Sequence, residues 1–591
     1  MWLWEKLKKR ENKWLALAFS VSFFVLLSSR LDFYYDLNDD VLLKDILSGS
    51  YTGEPESRNI YMRFPLSWFL SVLYRLIPAV PWFGVFLCGC HILCVFLLTE
   101  RLLDFCLKRW EKWTVLAVEL LFLTACLLRD LVFVQYTFTS AVLGAAAAFL
   151  VLTVRETEKA SDFLRGCLPG ILLAVTSFLL RPEMLLMLLP FLCTAGLFRW
   201  AEESGPVLSK ANFRKYFLTV GVLFLGLALC QILHSLGYRD PKWQYFLHSF
   251  NDSRTQLYDF QSIPPYPENR GFYESIGMSE ARQTLLENYN FGMDGELDAE
   301  SLGKIAEYAA ALKSERMDFW AACREALVNY RYRTFHKTDY PWNLFVLVMY
   351  VLVFVVTWKN FRFRYLWKLG FLGFLRTGIW MYILIRGRAP ERITHSLYLM
   401  EFVLLLALLL RGIRRENGNA ALAARIAALA VLGVFALTAV PGSLERTGQE
   451  YRRREEINAK LRALQSYMSW HKESFYFLDV YSTVAYSEKM FEKNCQGMAN
   501  HDIMGGWLVK SPIHQKKLSM YGMDSIENAV LYGENVYVVV QEPETPNLPG
   551  LAEWLPAYYE ENGRTVFLQK MDSVTVGNTE VFTVYSVVVS W

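Results

Sequence analysis

Apolar residues in this chain gather in long runs, with charged residues confined to short blocks between them. A membrane-crossing helix needs about 20 mostly apolar residues. Eleven runs qualify, at roughly 14–30, 79–99, 113–128, 132–154, 167–181, 184–199, 217–236, 342–358, 369–386, 396–411 and 420–440. The first is followed by Arg30, Leu31, Asp32 and Phe33 with no small-residue cleavage pattern, so it is expected to be a retained span rather than a signal peptide.

Basic residues set the orientation. The N-terminal segment and the connections near 100–112, 155–166, 199–216, 359–368 and 411–419 together carry 23 Lys and Arg, against 9 in the alternate connections. The positive-inside bias therefore predicts an inner N-terminus and an outer C-terminus. Three regions then lie outside: 30–65, 237–341 and the tail 441–591. The predicted domains are a membrane part, 1–440, and an extracytoplasmic α/β domain, 441–591. In the tail a charged helix is expected at 449–470 and another helix at Leu551–Asn562. Strands are expected at Ser474–Val480, Asn535–Gln541, Thr565–Lys570 and Phe582–Ser590.

Composition agrees with a polytopic membrane protein of the cell membrane. The 591 residues are 53% hydrophobic and only 20% charged, yet mean hydropathy is just +0.20, so a sizeable polar mass dilutes the spans. The net charge of +3 is placed by topology and does not point to nucleic acid. Of ten cysteines, eight fall in or beside the apolar runs, and only Cys323 and Cys495 lie in segments expected outside the membrane. Cys88, Cys90 and Cys94 with His91 lie inside a span and read as packing rather than a metal site. No G-x-x-x-x-G-K-[ST] phosphate loop and no internal repeat is present.

Candidate chemistry lies on the predicted outer side. Asp39 and Asp40 sit just past the first span in Asp36-Leu-Asn38-Asp39-Asp40. Such carboxylates suit a general base or a divalent cation, while a first-turn helix cap accounts for them equally in local terms. Arg386, Arg388 and Arg392, with His395, occupy the tight connection between spans nine and ten, and Arg129 and Arg181 lie in other short outer turns. Outer arginines run against the topological bias. Guanidinium forks bind phosphate oxygens or anchor to lipid head groups. In the long outer loop, Asn251, Arg254 and Tyr258 share a helical face that fits either a sugar or a solvated docking surface. The acidic stretch Asp294–Glu300 lacks the glycine of a calcium loop, with Ala299 at that point.

Eleven spans, an acidic pair in the first outer loop, a large outer loop after span seven and an outer tail resemble the GT-C membrane glycosyltransferases. The protein O-mannosyltransferases and the aminoarabinose transferase of lipid A belong to that group. The Asn38–Gly49 and Arg388–Ser396 segments also resemble those of multi-span proteins of Gram-positive bacteria. The resemblance implies inverting transfer of a sugar from a polyprenyl-phosphate donor to an envelope glycan, lipid or protein. It implies Asp39 or Asp40 as the base, or as ligands where a divalent cation is used. Donor phosphate would be held by Arg388 and Arg392, with Arg386, His395 and Arg181, and the acceptor or its sugar by Asn251, Arg254 and Tyr258. The readings set against this are an O-antigen-type polymerase or ligase, and a transporter or flippase of a lipid-linked sugar. The latter would use polar groups within spans, for which Glu119, His91 and Glu401 are the candidates.

Overall fold

The computed structural model describes residues 2–203, 206–316, 319–335, 339–415, 418–492, 499–544, 546 and 548–590; Cys495 lies outside them. Each of the eleven apolar runs falls on a helical segment. Seven described helices are long and apolar enough to cross a membrane: Trp82–Phe105, Ala160–Leu180, Pro182–Trp200, Lys210–Gly237, Arg364–Ile385, Glu391–Arg414 and Ala421–Trp470. Tyr136–Leu152 and Trp342–Trp358 are shorter apolar helices. The expected first and third spans lie in Trp2–Ser28 and in Arg109–Phe122 with the π-turn that follows.

Small residues put Tyr136–Leu152 at the centre. Ala145, Ala146, Ala147 and Ala148 are all buried, letting neighbouring backbones approach closely. A Cβ on Gly170 of the adjoining helix would stand 3.0 Å from the Ala147 carbonyl oxygen. The helical segment Trp342–Ile385 brings residues from both of its halves to one carboxylate. Tyr350 from one half and Arg376 from the other both reach Glu401, at 2.6 and 3.5 Å.

The connections separate into two groups. At one end, Glu202 is bonded to Lys368 and Arg411, Arg199 donates to the Val154 carbonyl and Arg411 to that of Leu152. At the other end gather residues 30–63, 129–135 and 386–391, the long loop, and the tail.

The long helix Gly418–Trp470 spans 53 residues and passes through Pro441 without a break, carrying the chain from the bundle into the tail. The tail is α/β as expected. Its five-stranded sheet has order β4-β3-β5-β7-β6: β3 is Phe475–Leu478, β4 His501–Ile503, β5 Val536–Gln541, β6 Val566–Val576 and β7 Thr579–Val589. Strand β3 pairs in parallel with β4 and β5, whereas β7 is antiparallel to β5 and β6. The helix Leu551–Glu561 lies between β5 and β6.

Tail and bundle are bonded together through the first loop. Two short strands, β1 (Tyr34–Tyr35) and β2 (Phe133–Val134), pair in parallel, and Tyr34 bridges to Lys489 of the tail. The buried Arg454 guanidinium meets the Asp36 carboxylate at 2.8 Å. Tyr51 donates to Asp502 at 2.6 Å, and Lys44 pairs with Glu488 at 2.5 Å.

Candidate active site

The first loop turns Asp39 and Asp40 to different ends. Helix Asn38–Ser48 begins immediately after the β1 strand. The Leu37 backbone N–H donates to Asp40 Oδ2 at 3.2 Å, and the Tyr136 N–H to Asp40 Oδ1 at 2.9 Å. Asp40 is fully buried. Both of its oxygens are occupied in fastening the helix start to the Tyr136–Leu152 helix. Burial pushes its pKa well above the usual carboxylate range. Asp39, one position and about 100° away around the helix, lines a cavity of about 1260 Å³ between the bundle and the tail.

Five of the expected arginines line that same cavity: Arg181, Arg254, Arg386, Arg388 and Arg392. Arg181 occupies the turn between Ala160–Leu180 and Pro182–Trp200. It pairs with Glu183 at 3.1 Å and lies over the rings of Tyr61 and Tyr136, at 4.6 and 5.5 Å. Arg254 is buried, donating to Tyr289 Oη at 3.1 Å and to Asn251 Oδ1 at 3.0 Å, while its Nε has no partner. Arg386 lies over Phe260 at 5.2 Å, and Arg388 pairs with Asp259 at 2.5 Å. Arg392 forms no ion pair among the described residues, which leaves its guanidinium available to an anion. Burial raises the Asp39 pKa, and Arg392, Arg181 and Arg254, in that order, pull it back down. The result is a partly desolvated carboxyl facing a cationic wall, an arrangement suited to taking a proton beside a developing anion.

Two other expected residues sit behind this surface. His395 is buried, with Nδ1 at 3.2 Å from Asp130 Oδ2; Asp130 in turn pairs with Arg129, and Arg129 with Asp36. Tyr258 donates to the Leu286 carbonyl at 2.9 Å and packs on Tyr289 at 4.2 Å, so it supports the partner of Arg254. A divalent cation does not suit the first loop: Asp40 has no free oxygen, and guanidinium groups surround Asp39. No three His, Cys, Asp or Glu converge among the described residues.

The sequence did not point to the other wall. Gln465, Tyr486, His501, Asp502, Trp507 and Lys517 of the tail complete the lining. Burial, with Lys517 nearby, pushes His501 down to about 4, which keeps its imidazole neutral. The Trp507 ring packs against Tyr61 at 4.8 Å. Its indole N–H is buried without a hydrogen-bond partner. The one sequence signal for this wall is the pair Gly505-Gly506 ahead of Trp507. Within the bundle, Glu119 bonds Thr99 at 2.7 Å and His91 bonds Thr139 at 2.9 Å, as helix-to-helix contacts.

The structure is thus a bundle of long apolar helices with an acidic first loop and an α/β tail that closes a cavity. Among solved structures the chain is similar to ArnT from Cupriavidus metallidurans in the apo state, with 12% identity and a TM-score of 0.50 over 97% of this chain and 98% of that one. The same protein bound to undecaprenyl phosphate aligns over equal shares at 12% identity and a TM-score of 0.47. At this identity the likeness is one of fold. No protein-family model matches the chain, and no curated protein matches it in sequence.

Proposed function

We propose that this protein is an inverting glycosyltransferase of the cell membrane. It moves a sugar from a polyprenyl-phosphate donor to a hydroxyl of an envelope glycan, lipid or protein, outside the membrane under an extracytoplasmic tail. The observation that carries this reading is the presence of Asp39 and five arginines in one cavity at the tail end of the bundle. Asp39 takes the acceptor hydroxyl proton as the oxygen attacks the anomeric carbon. The bond from that carbon to the donor phosphate oxygen breaks on the opposite face, and polyprenyl phosphate leaves. Arg392 and Arg388 stabilise the charge that grows on the leaving phosphate, with Arg181, Arg254 and Arg386 completing the positive field. Asn251 serves this wall by holding the Arg254 guanidinium.

The test is transfer of labelled sugar from a polyprenyl-phosphate donor by purified protein. Asp39→Asn is expected to slow turnover by about 10²-fold or more, the range for loss of a general base. Turnover in D39N equal to wild type would sink the assignment.

A further inference from the structure

We infer that the helix Phe319–Phe335, at the end of the long loop, is laid into the membrane on the tail side of the bundle, its outward face seated among phospholipid head groups and upper acyl chains. The sequence reads residues 237–341 as one water-facing loop, and the glycosyltransferase reading gives this helix no role.

The inner face fixes the depth. Ala326, Tyr330 and Arg333 fall on one side of the helix at i, i+4 and i+7, and Ala326 is buried. The Tyr330 hydroxyl lies 3.3 Å from that of Thr377, and its ring centre lies 6.0 Å from that of Trp380 and 5.6 Å from the Arg376 guanidinium. All three partners belong to Arg364–Ile385, a helix long and apolar enough to cross a membrane. Thr377 precedes the end of that helix at Ile385 by eight residues, about 12 Å along the axis. A helix docked there stands beside the hydrocarbon and not above it. The Asn343 side chain donates to the Arg333 carbonyl at 3.4 Å, tying the far end of Phe319–Phe335 to the start of the apolar helix Trp342–Trp358.

The opposite face is apolar and uncovered. Trp320, Leu327, Val328 and Phe335 share an arc of about 100° and are 56–75% exposed. A contiguous apolar stripe of this kind marks a protein partner or a membrane. Its charges choose the membrane. Arg324 and Arg331 lie in the same arc and are exposed. Apolar side chains interleaved with arginines fit the boundary between phosphates and acyl chains, where the apolar groups sink and the guanidinium heads reach up to phosphate. Pairing the stripe with a second copy of the chain would set arginine against arginine. The long loop, which carries Asn251 and Arg254 to the cavity, is thereby fastened to the lipid surface at its other end.

The experiment places an encoded fluorescent amino acid at Val328 in the full chain, reconstituted in phospholipid nanodiscs. The control carries it at Glu307, an exposed position on the preceding helix Ala299–Arg316. A doxyl group near the top of the acyl chain is expected to quench the probe at 328 several-fold more than the probe at 307, and aqueous iodide is expected to do the reverse. Iodide quenching at 328 equal to that at 307, with no effect of the doxyl lipid, would overturn the inference. So would a probe at 328 reached by neither quencher in a protein that runs as a dimer, since a second copy would then cover the stripe. Neither result touches the transfer assay with D39N, so this inference and the glycosyltransferase reading fail separately.

Discussion

Asp39 and Asp40 are adjacent in the chain but carry different duties, and two measurements separate them. Burial makes the folded protein hold the Asp39 proton more tightly than the unfolded chain does. Ionising it therefore costs stability as pH rises past the usual carboxylate range. D39N removes that cost, so its thermal midpoint relative to wild type should rise between pH 4 and pH 7. A constant offset across that range would contradict the burial argument. Asp40→Asn replaces an acceptor for two backbone N–H groups by a weaker one, and should destabilise the fold by about 1–3 kcal/mol, visible as a lower midpoint for detergent-solubilised protein. Arg392→Ala removes the largest influence lowering the Asp39 pKa. The acidic limb of kcat/KM should then move to higher pH, and an unmoved limb would show that the two groups do not communicate.

At the scale of elements, the apolar runs and the basic blocks made most of the fold legible. Spans are specified locally, because each must be long and apolar whatever it touches. Most tail strands were legible from local pattern too: β3, β5 and β7 are β-branched and aromatic runs, whereas the three-residue β4, His501–Ile503, has no such signal and is not predicted. What local pattern could not convey was convergence. Arg254 and Trp507 are 253 residues apart, and nothing in the neighbourhood of either announces that both line one cavity. The unbroken passage of Gly418–Trp470 through Pro441 was equally hidden, since a proline ordinarily reads as a boundary. The short Gly505-Gly506 turn was visible, but its meaning depends on Tyr289. Gly505→Ala, with its Cβ against a backbone oxygen, should displace Trp507. It is expected to lower both the thermal midpoint and turnover, measured side by side.

At the scale of the whole molecule, bundle and tail form one unit because their contacts are buried and charged. Asp36 joins Arg129 of the bundle to Arg454 of the Gly418–Trp470 helix. Removing Arg454 leaves Asp36 with only its longer contact to Arg129 at 3.4 Å, so the cost should fall below the ~3–5 kcal/mol of a fully stranded buried charge. Arg454→Ala should therefore loosen the tail, with limited proteolysis cutting the 441–591 region faster than in wild type. An unchanged cleavage rate would mean that this pair contributes nothing to docking.

The 53-residue helix Gly418–Trp470 makes the upper wall of the cavity sensitive to phase. Each residue added to an α-helix turns everything beyond it by about 100° and lifts it by about 1.5 Å. One residue inserted after Pro441 would therefore swing Gln465 and Met468, which line the cavity from this helix, away from the arginines. Seven residues would restore the heading but raise the roof by about 10 Å. The height of the cavity's tail wall above the bundle is thus written in the residue count of a single rod.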